Sequence, residues 1–441
     1  MTKRKRIVIV SVSAGMAALL AVVAVGGLVL LRHFNGNIQQ YNLKESGLLG
    51  RQPVDTHPQA ENILVLGSDT RNGQGGGFGT GLVTDQSDTT MIVHIPADRK
   101  WAEVMSIPRD SWVNIPACKT GNGQMSAPHQ FKINEAFAIG NLYGNHTALG
   151  VACTVKTIEQ DTGIYIDHFI VVNFTGFKNM VAALGGVPEC NPTPIDDPLS
   201  GLHLTAGHHL LTPRQALGYV RARYTLGNGS DLERIGRQQA FMSSLIARVQ
   251  SKMLDPLAVY RFLDAATQSL TIDSQLGGIT GLYNLGESLR GIPKEDIAFF
   301  TLPSVPRGDA ANVLWAQPED DAIFQSFRDD VPASSSLFAA PAGNGTSPLV
   351  TGPVGPANPA APQGTSGSQE IGATPTTSAT PSAPARPKAS ASPATSASPS
   401  VTQITSTPGP AATTSASASP AATRQGPSLQ ARTANQSICA G

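Results

Sequence analysis

The sequence predicts an α/β domain built as three layers, α/β/α, with a mixed central sheet between the helices. Short apolar runs that are typical of buried strands alternate with stretches in which apolar residues recur at helical spacing, and this order favours a sheet covered on both faces. The strand-like runs lie at 63–66, 91–95, 104–107, 169–172 and 297–301, and the helical patterns lie at 134–140, 149–160, 174–184, 213–219, 230–249, 257–266 and 279–289. The second and third runs are joined by residues 96–100, so they could form an antiparallel hairpin in a sheet of mixed direction.

The charged residues are few and balanced, which argues against several classes of protein. Only 14% of the 441 residues are charged, and Lys+Arg and Asp+Glu both number 31. This balance argues against a nucleic-acid binder whose affinity depends on a broad basic face. The four cysteines include no Cys-x-x-Cys pair, which argues against a disulfide-built miniprotein, a zinc ribbon and a redox motif.

The N-terminus predicts a membrane anchor. The basic segment 1–6 is followed by an uncharged, mostly apolar run at 7–31, which is longer than the ~20 residues that a helix needs to cross a bilayer. The basic cluster places residues 1–6 in the cytoplasm and the rest of the chain outside the cell. A cleaved signal peptide is the alternative, but the apolar run is longer than a usual signal-peptide core and no clear cleavage site follows it.

The composition divides the remainder into three parts. We interpret residues 32–61 as a linker and residues 62–332 as an extracellular globular domain, large enough to bury a core. Residues 333–441 are rich in Ala, Pro, Ser and Thr, and Phe338 is the last aromatic residue. Such a segment cannot bury enough apolar surface to offset its ordering entropy, so we predict a disordered tail that acts as a spacer.

Polar side chains cluster at the ends of the predicted strands, where α/β folds bind ligands. Asp69 follows the first strand, Asp88 opens the second, and Arg109 and Asp110 close the third. Each position taken alone fits a solvated surface ion pair equally well. Their grouping in a domain with so few charges favours a site.

Further charged residues lie on two later segments. Arg221 and Arg223 are two residues apart, which puts both on one face if the segment is extended. Asp231, Arg234 and Gln238 are spaced to share one face of the helix that follows. Several arginines with a few aspartates are suited to bind a phosphate-rich anion together with Mg²⁺, because guanidinium groups bind phosphate oxygens and carboxylates bind the hard cation.

The strings that carry these residues are familiar in combination. They are NILVLGSDTR at 62–71, SDTTM at 87–91, SIPRD at 106–110, KINEAF at 132–137, DHF at 167–169, FTGF at 174–177, LGGV at 184–187, YVRAR at 219–223 and DLERIGRQQ at 231–239. With these motifs in this order, the chain resembles the LytR-CpsA-Psr family of bacterial cell-wall ligases, of the actinobacterial type. The single N-terminal anchor with an external domain also matches the family's layout.

The resemblance implies a function. Members of the family move a glycopolymer from a polyprenyl-pyrophosphate carrier onto peptidoglycan and form a phosphodiester outside the membrane. It also implies an apolar tunnel for the polyprenyl chain, which apolar side chains of the core helices could line. The resemblance implies that Asp69 and Asp88 bind Mg²⁺ and that the phosphates are bound by Arg109, Arg221, Arg223 and Arg234. Lys132 and Gln238 would add supporting contacts, and Asp231 would orient the arginines. Asp110 would be either structural or would activate the acceptor hydroxyl.

Two features near the first motifs depart from a simple match. Gln86 stands where many relatives have an arginine, so one phosphate contact is missing or is supplied elsewhere. The segment 72–85 is rich in glycine but lacks the Lys-Ser/Thr ending of a P-loop, so we interpret it as an entrance loop rather than as a phosphate cradle.

The cysteines suit an oxidising exterior. Cys118 and Cys153 flank the Lys132 motif and are the pair we prefer for a disulfide. Whether Cys190 pairs with Cys439 stays open, because connectivity cannot be read from sequence.

Three functions remain to be separated. The first is a phosphotransferase that joins a lipid-linked wall polymer to peptidoglycan, the second is a pyrophosphatase that hydrolyses the lipid pyrophosphate, and the third is a wall-binding protein without catalysis. Direct regulation of transcription is excluded, because the cytoplasmic residues 1–6 are too few for a DNA-binding element. Which glycopolymer is carried is not determined by these motifs.

Overall fold

The computed structural model describes residues 3–68, 86–144, 146–222, 231–252, 254–309, 311–333 and 431–433. The chain divides into two compact units, residues 1–342 with 425–441, and residues 343–424. Every described residue belongs to the first unit. The α-helices in this part of the chain are α1 (Lys3–Asn37), α2 (Ile133–Asn141), α3 (Thr147–Thr162), α4 (Phe174–Ala183), α5 (Pro213–Arg221), α6 (Asp231–Lys252), α7 (Pro256–Thr267), α8 (Gly278–Arg290) and α9 (Glu319–Arg328).

Eight of the described strands form one mixed sheet, in the order β1-β12-β7-β2-β3-β4-β13-β16. Its strands are β1 (Gln39–Tyr41), β2 (Glu61–Ser68), β3 (Ser87–Ile95), β4 (Ala102–Ile107), β7 (His168–Asn173), β12 (Leu270–Asp273), β13 (Ile297–Thr301) and β16 (Ala431–Thr433). The remaining strands form two-stranded ribbons, namely β5 (Trp112–Ile115) with β6 (His129–Lys132), β8 (Val187–Asn191) with β11 (Gly207–Leu211), β9 (Ile195–Asp197) with β10 (Leu202–Leu204), and β14 (Ser304–Pro306) with β15 (Val313–Trp315).

The strand directions bring several loop ends to one edge of the sheet. β2 is parallel to β7, and β4 is parallel to β13. β3 runs antiparallel to both β2 and β4, as the predicted hairpin requires. The carboxyl ends of β2, β4, β7 and β13 therefore lie at the same edge as the amino end of β3, and we call this the carboxyl edge. It is the position at which α/β sheets bind ligands.

Helices cover both faces of the sheet, so the predicted α/β/α class is confirmed. One face packs against α2, α3 and α9 around Leu64, Ile92, Phe137 and Phe300, which are almost fully buried. The other face lies against α6 and α8. Helix starts follow local chemistry, since Thr212 and Gln215 form a reciprocal capping box at α5, with Pro213 in the first turn.

The first helix is long and apolar enough to cross a membrane. Its segment Ser11–Asn37 has a mean hydropathy of 2.5, and residues 11–33 are exposed along the helix. The adjoining segment, which the composition predicts to be a linker, contributes in part to the folded domain. Residues 39–41 form β1 at the edge of the sheet, and Leu43 and Leu49 are buried in the core. A domain boundary drawn from composition misses such a segment, because only a few of its residues are apolar.

The predicted tail lies mostly outside the described residues. Two observations place its ends against the domain. Ala333 is 1% exposed, and its backbone N–H donates to the carboxylate of Glu103. Residues 431–433 pair with β13 in antiparallel register.

The preferred disulfide is present. Cys118 and Cys153 are bonded, and both are buried in the core beside α3. The two cysteines are 35 residues apart in sequence, and the loop that the bond closes carries β6 and α2. Cys439 lies outside the described residues.

Glu103 makes the stability of the domain depend on pH. Its side chain is buried between the sheet and the helices, and burial raises its pKa to about 8, although the bond from Ala333 acts in the opposite direction. An ordinary glutamate has a pKa of ~4.3. Between these values the folded chain binds a proton that the unfolded chain has released, so stability falls as pH rises. Burial also raises the pKa of Glu159, to about 7, so Glu159 likewise makes stability fall as pH rises. Burial lowers the pKa of His94, which acts in the opposite sense at acidic pH.

We therefore expect the melting temperature to fall as pH rises from about 5 to about 8 and to level off above that, and Glu103→Gln to flatten the dependence, because glutamine carries no ionisable proton. Thermal denaturation of the full chain across this range measures both slopes. Glu45→Gln, at an exposed position, is the matched control. Equal slopes in Glu103→Gln and the parent chain would contradict the assignment.

Candidate active site

An ion pair joins the ends of β3 and β4 at the carboxyl edge. Asp88 is the second residue of β3, and Arg109 lies two residues beyond β4. A guanidinium Nη1 of Arg109 donates to Oδ1 of Asp88 at 2.8 Å, and both side chains are about one-fifth exposed. The pair is therefore accessible to a ligand while its geometry is held by two adjacent strands.

The first turns of α6 bring a second arginine to the same place. Arg234 is 3% exposed, and its Nη2 donates to the backbone oxygen of Asp88 at 3.0 Å. One turn later, Gln238 donates to Oγ1 of Thr89 at 3.2 Å and to the backbone oxygen of Val220 at 3.0 Å. The predicted shared face of Arg234 and Gln238 is confirmed, and both residues face β3.

Lys132 and Asp110 form a second ion pair beside the first. Lys132 ends β6, and its Nζ lies 2.8 Å from Oδ1 of Asp110, which is 5% exposed. Oδ2 of Asp110 lies 3.9 Å from Nε of Arg109. The backbone oxygen of Asp110 accepts from Val313 N–H at 3.1 Å. A carboxylate so enclosed positions Arg109 and Lys132.

Removing Lys132 would leave this carboxylate buried with one cation fewer. We expect Lys132→Met to lower the free energy of unfolding by about 1–3 kcal/mol, the usual cost of an unsatisfied buried polar group. The double variant Lys132→Met with Asp110→Asn should recover part of the loss, because it removes the charge as well. Urea denaturation of the parent, both single variants and the double variant measures this coupling. Additive losses in the double variant would contradict it.

Gln86 has a structural use in this chain. Its amide nitrogen donates to Oε2 of Glu135 at 3.0 Å, and its amide oxygen accepts from Nδ2 of Asn134 at 3.1 Å. Both partners lie in the first turn of α2. Gln86 therefore ties the start of β3 to α2, where an arginine would have offered a cation.

Of the four remaining predicted site residues, the prediction for one is wrong in part, and the other three lie outside the part of the chain that the structure describes. The segment that begins at Arg221 is not extended there, because Arg221 is the last residue of α5, with its guanidinium 4.8 Å from the ring centre of Phe174. The amphipathic pattern of α5 continues two residues further than predicted. Asp69 and Arg223 lie outside the described residues. The side chain of Asp231, which begins α6, also lies outside them.

Two residues that the motifs do not single out support the site. Gln239 is buried, and its amide nitrogen donates to Oγ of Ser106 at 3.2 Å and to Oγ1 of Thr301 at 3.4 Å. Gln239 thus fixes α6 to the ends of β4 and β13. Arg237 donates to the backbone oxygen of Ala222 just after α5. Both follow Arg234 in one helix, but the pattern of a helix does not reveal which polar residues are turned inward.

An apolar cavity of about 520 Å³ lies further along α6. It lies between the sheet and α6, α7 and α8, and its walls include Val65, Met91, Val93, Val104, Met242, Ile246, Val249, Phe262, Tyr283 and Phe299. On α6 one face carries Arg234 and Gln238 and then, at successive turns, Met242, Ile246 and Val249. On β3 the alternate residues Thr89, Met91 and Val93 follow the same course. The residues at the ion pairs and the residues that line the cavity therefore share one face of α6 and one face of β3.

The profile of the LytR_cpsA_psr family matches residues 35–328, a span that includes the whole sheet except β16. The chain belongs to the LytR-CpsA-Psr family. The probable cell wall biosynthesis protein LcpB of Corynebacterium glutamicum is 33% identical over 281 residues, 60% of this chain and 61% of LcpB. This chain therefore spans about three-fifths of the length of LcpB.

Two further similarities lie within the family. The polyisoprenyl-teichoic acid–peptidoglycan teichoic acid transferase TagT of Bacillus subtilis is 30% identical over 307 residues, 66% of this chain and 85% of TagT. Among solved structures, the LytR-Csp2A-Psr enzyme from Actinomyces oris aligns with a TM-score of 0.47 at 21% identity, over 66% of this chain and 95% of that chain.

Proposed function

We propose that this protein transfers a glycopolymer from a polyprenyl-pyrophosphate carrier to peptidoglycan and forms a phosphodiester outside the membrane. One observation carries the proposal. The face of α6 begins with Arg234 and Gln238 beside Asp88 and continues with Met242, Ile246 and Val249 into an apolar cavity. A ligand that matches this surface has an anionic head and a long apolar tail. The name of TagT, a transferase of polyisoprenyl-linked teichoic acid to peptidoglycan, supports the same choice.

Arg109 and Arg234 would bind the pyrophosphate. The guanidinium of Arg109 reaches the carboxyl edge from β4, and that of Arg234 reaches it from α6, so two planar donors approach one point from different elements. Such donors bind phosphate oxygens in pairs and stabilise the charge that grows as the P–O–P bond breaks. Arg221 and Arg223 would add to this group, and Asp231 would orient it.

The reaction needs no covalent intermediate on the protein. The oxygen of an acceptor hydroxyl bonds to the phosphorus next to the sugar, the P–O–P bond breaks, polyprenyl phosphate leaves with the electron pair, and the hydroxyl proton passes to solvent. The protein's part is to hold donor and acceptor in line and to stabilise charge. Asp110, with Lys132 and Arg109 against its two oxygens, acts as a positioning residue for these cations.

Mg²⁺ fits the residues at this edge. Asp88 presents a partly exposed carboxylate beside Arg109, which suits a cation held mainly by pyrophosphate oxygens and water. Asp69 is the second proposed ligand. The metal would supply positive charge against the pyrophosphate.

We expect EDTA to abolish transfer and added Mg²⁺ to restore it, and Asp88→Asn to raise the Mg²⁺ concentration needed for half-maximal rate. Initial rates against Mg²⁺ concentration measure both effects. Glu45→Gln, which also removes one exposed carboxylate, is the control. A rate that is indifferent to EDTA would remove the metal from the proposal.

The membrane and the cell wall are the proposed surroundings. The apolar helix α1 would anchor the chain, with residues 1–6 in the cytoplasm and the catalytic domain outside. In this orientation the carboxyl edge faces the compartment in which lipid-linked polymers meet peptidoglycan. The partners are then the lipid-linked glycopolymer, the peptidoglycan acceptor and the bilayer.

The direct test incubates the full chain in lipid nanodiscs with Mg²⁺, a sugar-labelled polyprenyl-pyrophosphate oligosaccharide and peptidoglycan fragments. Label bound covalently to peptidoglycan is the expected result. Free phosphorylated sugar as the sole product would instead establish the pyrophosphatase. Binding of the donor without turnover would leave a wall-binding protein.

A further inference from the structure

We propose that the outer ends of α7 and α8 rest on the lipid bilayer beside the anchor, so that the apolar cavity opens at the membrane surface. The proposal rests on the proposed function for the identity of the molecule that enters the cavity. The docking surface itself is argued from the packing of α1 and from four exposed apolar side chains, and its occupant is the bilayer.

The end of the anchor is fixed to the domain. Phe34 and Ile38 are each 6% exposed and pack with Ile272 and Ile279 in one apolar cluster. The side-chain oxygen of Asn35 accepts from the backbone N–H of Ile279 at 2.9 Å, at the start of α8. The helix that crosses the membrane therefore continues into the domain without a flexible joint at residues 34–38.

The contacts between α1 and α7 show which end of α7 is nearer the membrane. The ring of Phe34 lies 5.7 Å from that of Tyr260. One turn further along α1, the amide nitrogen of Asn37 donates to Asp264 at 3.3 Å and to Thr267 at 3.4 Å. Residue numbers rise together along the two helices. Following both helices backwards brings the first turn of α7 level with the last apolar turns of α1.

Exposed apolar side chains lie just before α7 and in its first two turns. Leu254 is 97% exposed, Leu257 is 56% exposed and Tyr260 is 39% exposed. Tyr283, on α8, is 64% exposed. Leu257 and Tyr260 are three residues apart and share one face of α7. Exposed apolar side chains grouped in this way mark an interaction surface, and tyrosine is enriched at membrane–water interfaces. Charged Asp255 and Arg261 flank the patch, as polar groups do at the headgroup level.

Tyr283 belongs both to this exposed set and to the wall of the cavity. The cavity therefore reaches the surface at α8. Phe262, on α7, lines it as well. A carrier lipid could then pass from the bilayer into the cavity without its apolar chain crossing water, which avoids about 0.8 kcal/mol for each CH₂ exposed.

The test places a tryptophan on this surface in the full chain, reconstituted in bilayers that contain phospholipids brominated on the acyl chains. We expect Leu257→Trp and Tyr283→Trp to show quenching beyond that of the parent chain, which has three tryptophans. Leu199→Trp is the matched control, because Leu199 is an exposed apolar residue (72%) in the turn between β9 and β10. Absent quenching at positions 257 and 283, or equal quenching at 199, would overturn the proposal. So would a signal that follows protein concentration instead of bromolipid content, which would indicate contact between copies of the chain.

A second measurement separates docking from catalysis. The double variant Leu254→Asp with Leu257→Asp, at two exposed positions that do not line the cavity, should slow transfer from a bilayer-embedded carrier by roughly tenfold, since losing the burial of one large apolar side chain corresponds to about that factor. Transfer from a short-chain, water-soluble carrier should be unchanged, and Leu199→Asp should affect neither. No loss, or an equal loss with both carriers, would overturn the docking surface. Bromolipid quenching needs no substrate, so it stands even if the transfer reaction itself is not found.

Discussion

Arg109→Ala is expected to reduce transfer by about 100- to 1000-fold, the range typical for the loss of one preorganised donor to a developing anion. Arg109 is one-fifth exposed and reaches Asp88 across two strand ends, so its side chain can be removed without opening the core. We therefore expect the melting temperature to change little. Initial rates with labelled donor, together with a thermal melt, measure the two effects separately.

A matched control for this variant lies at the opposite end of β3. Arg99 also pairs with a carboxylate, that of Glu61, at 2.6 Å, and it is one-third exposed. Arg99→Ala removes a comparable ion pair far from the carboxyl edge, so it should leave the rate unchanged. Near-normal turnover in Arg109→Ala, or an equal loss in Arg99→Ala, would contradict the assignment of the phosphate site.

Gly286→Phe is expected to block long carrier lipids. Gly286 lies on α8 and lines the cavity, and a Cβ placed there would meet no other atom within 4 Å. A phenylalanine at this position would extend a large ring along the cavity wall, so we expect at least tenfold loss of transfer from a long polyprenyl donor. The loss should be much smaller with a donor of one or two isoprene units, because a short tail needs less of the cavity.

Gly286→Ala provides the control at the same position. It removes a glycine from the middle of a helix, which stabilises by about 0.5–1 kcal/mol, while it leaves the cavity open. Its rate should match that of the parent with both donors. The measurement is the transfer rate of each variant with donors of increasing tail length. If Gly286→Phe lowered the rate equally for every tail length, the cavity would not be the site that holds the lipid.

The sequence predicts the central strands well because they are buried on both faces. The apolar runs at 63–66, 91–95 and 104–107 each lie within an observed strand of the sheet. β1 and the ribbons from β8 to β11 are missed, since three to five residues with few apolar side chains carry no period that distinguishes them from a loop. Their pairing comes from tertiary contacts, such as β1 beside β12, which a local pattern cannot contain.

The candidate site is predictable in part for a similar reason. Asp88 and Arg109 end adjacent strands, so their proximity follows from the hairpin that the sequence suggests. The contact of Arg234 with the backbone of Asp88 depends on how α6 crosses the sheet, and it could not be inferred from spacing. Gln86 illustrates the limit most clearly, because only the structure reveals Asn134 and Glu135 as its partners. The prediction of an extended segment is wrong at Arg221, which is still helical. Residues 219–226 contain no glycine or proline that would mark where the helix ends.

The measurement that tests the central claim most directly follows the phosphate. A polyprenyl-pyrophosphate oligosaccharide labelled with ³²P only at the phosphorus next to the sugar is incubated with the full chain and peptidoglycan. We predict that the ³²P becomes covalently bound to peptidoglycan together with the sugar and that Arg109→Ala prevents this. Sugar bound to peptidoglycan without ³²P would mean that the carbon–oxygen bond breaks instead, and ³²P released only in soluble form would mean hydrolysis. Either result would contradict a phosphotransferase.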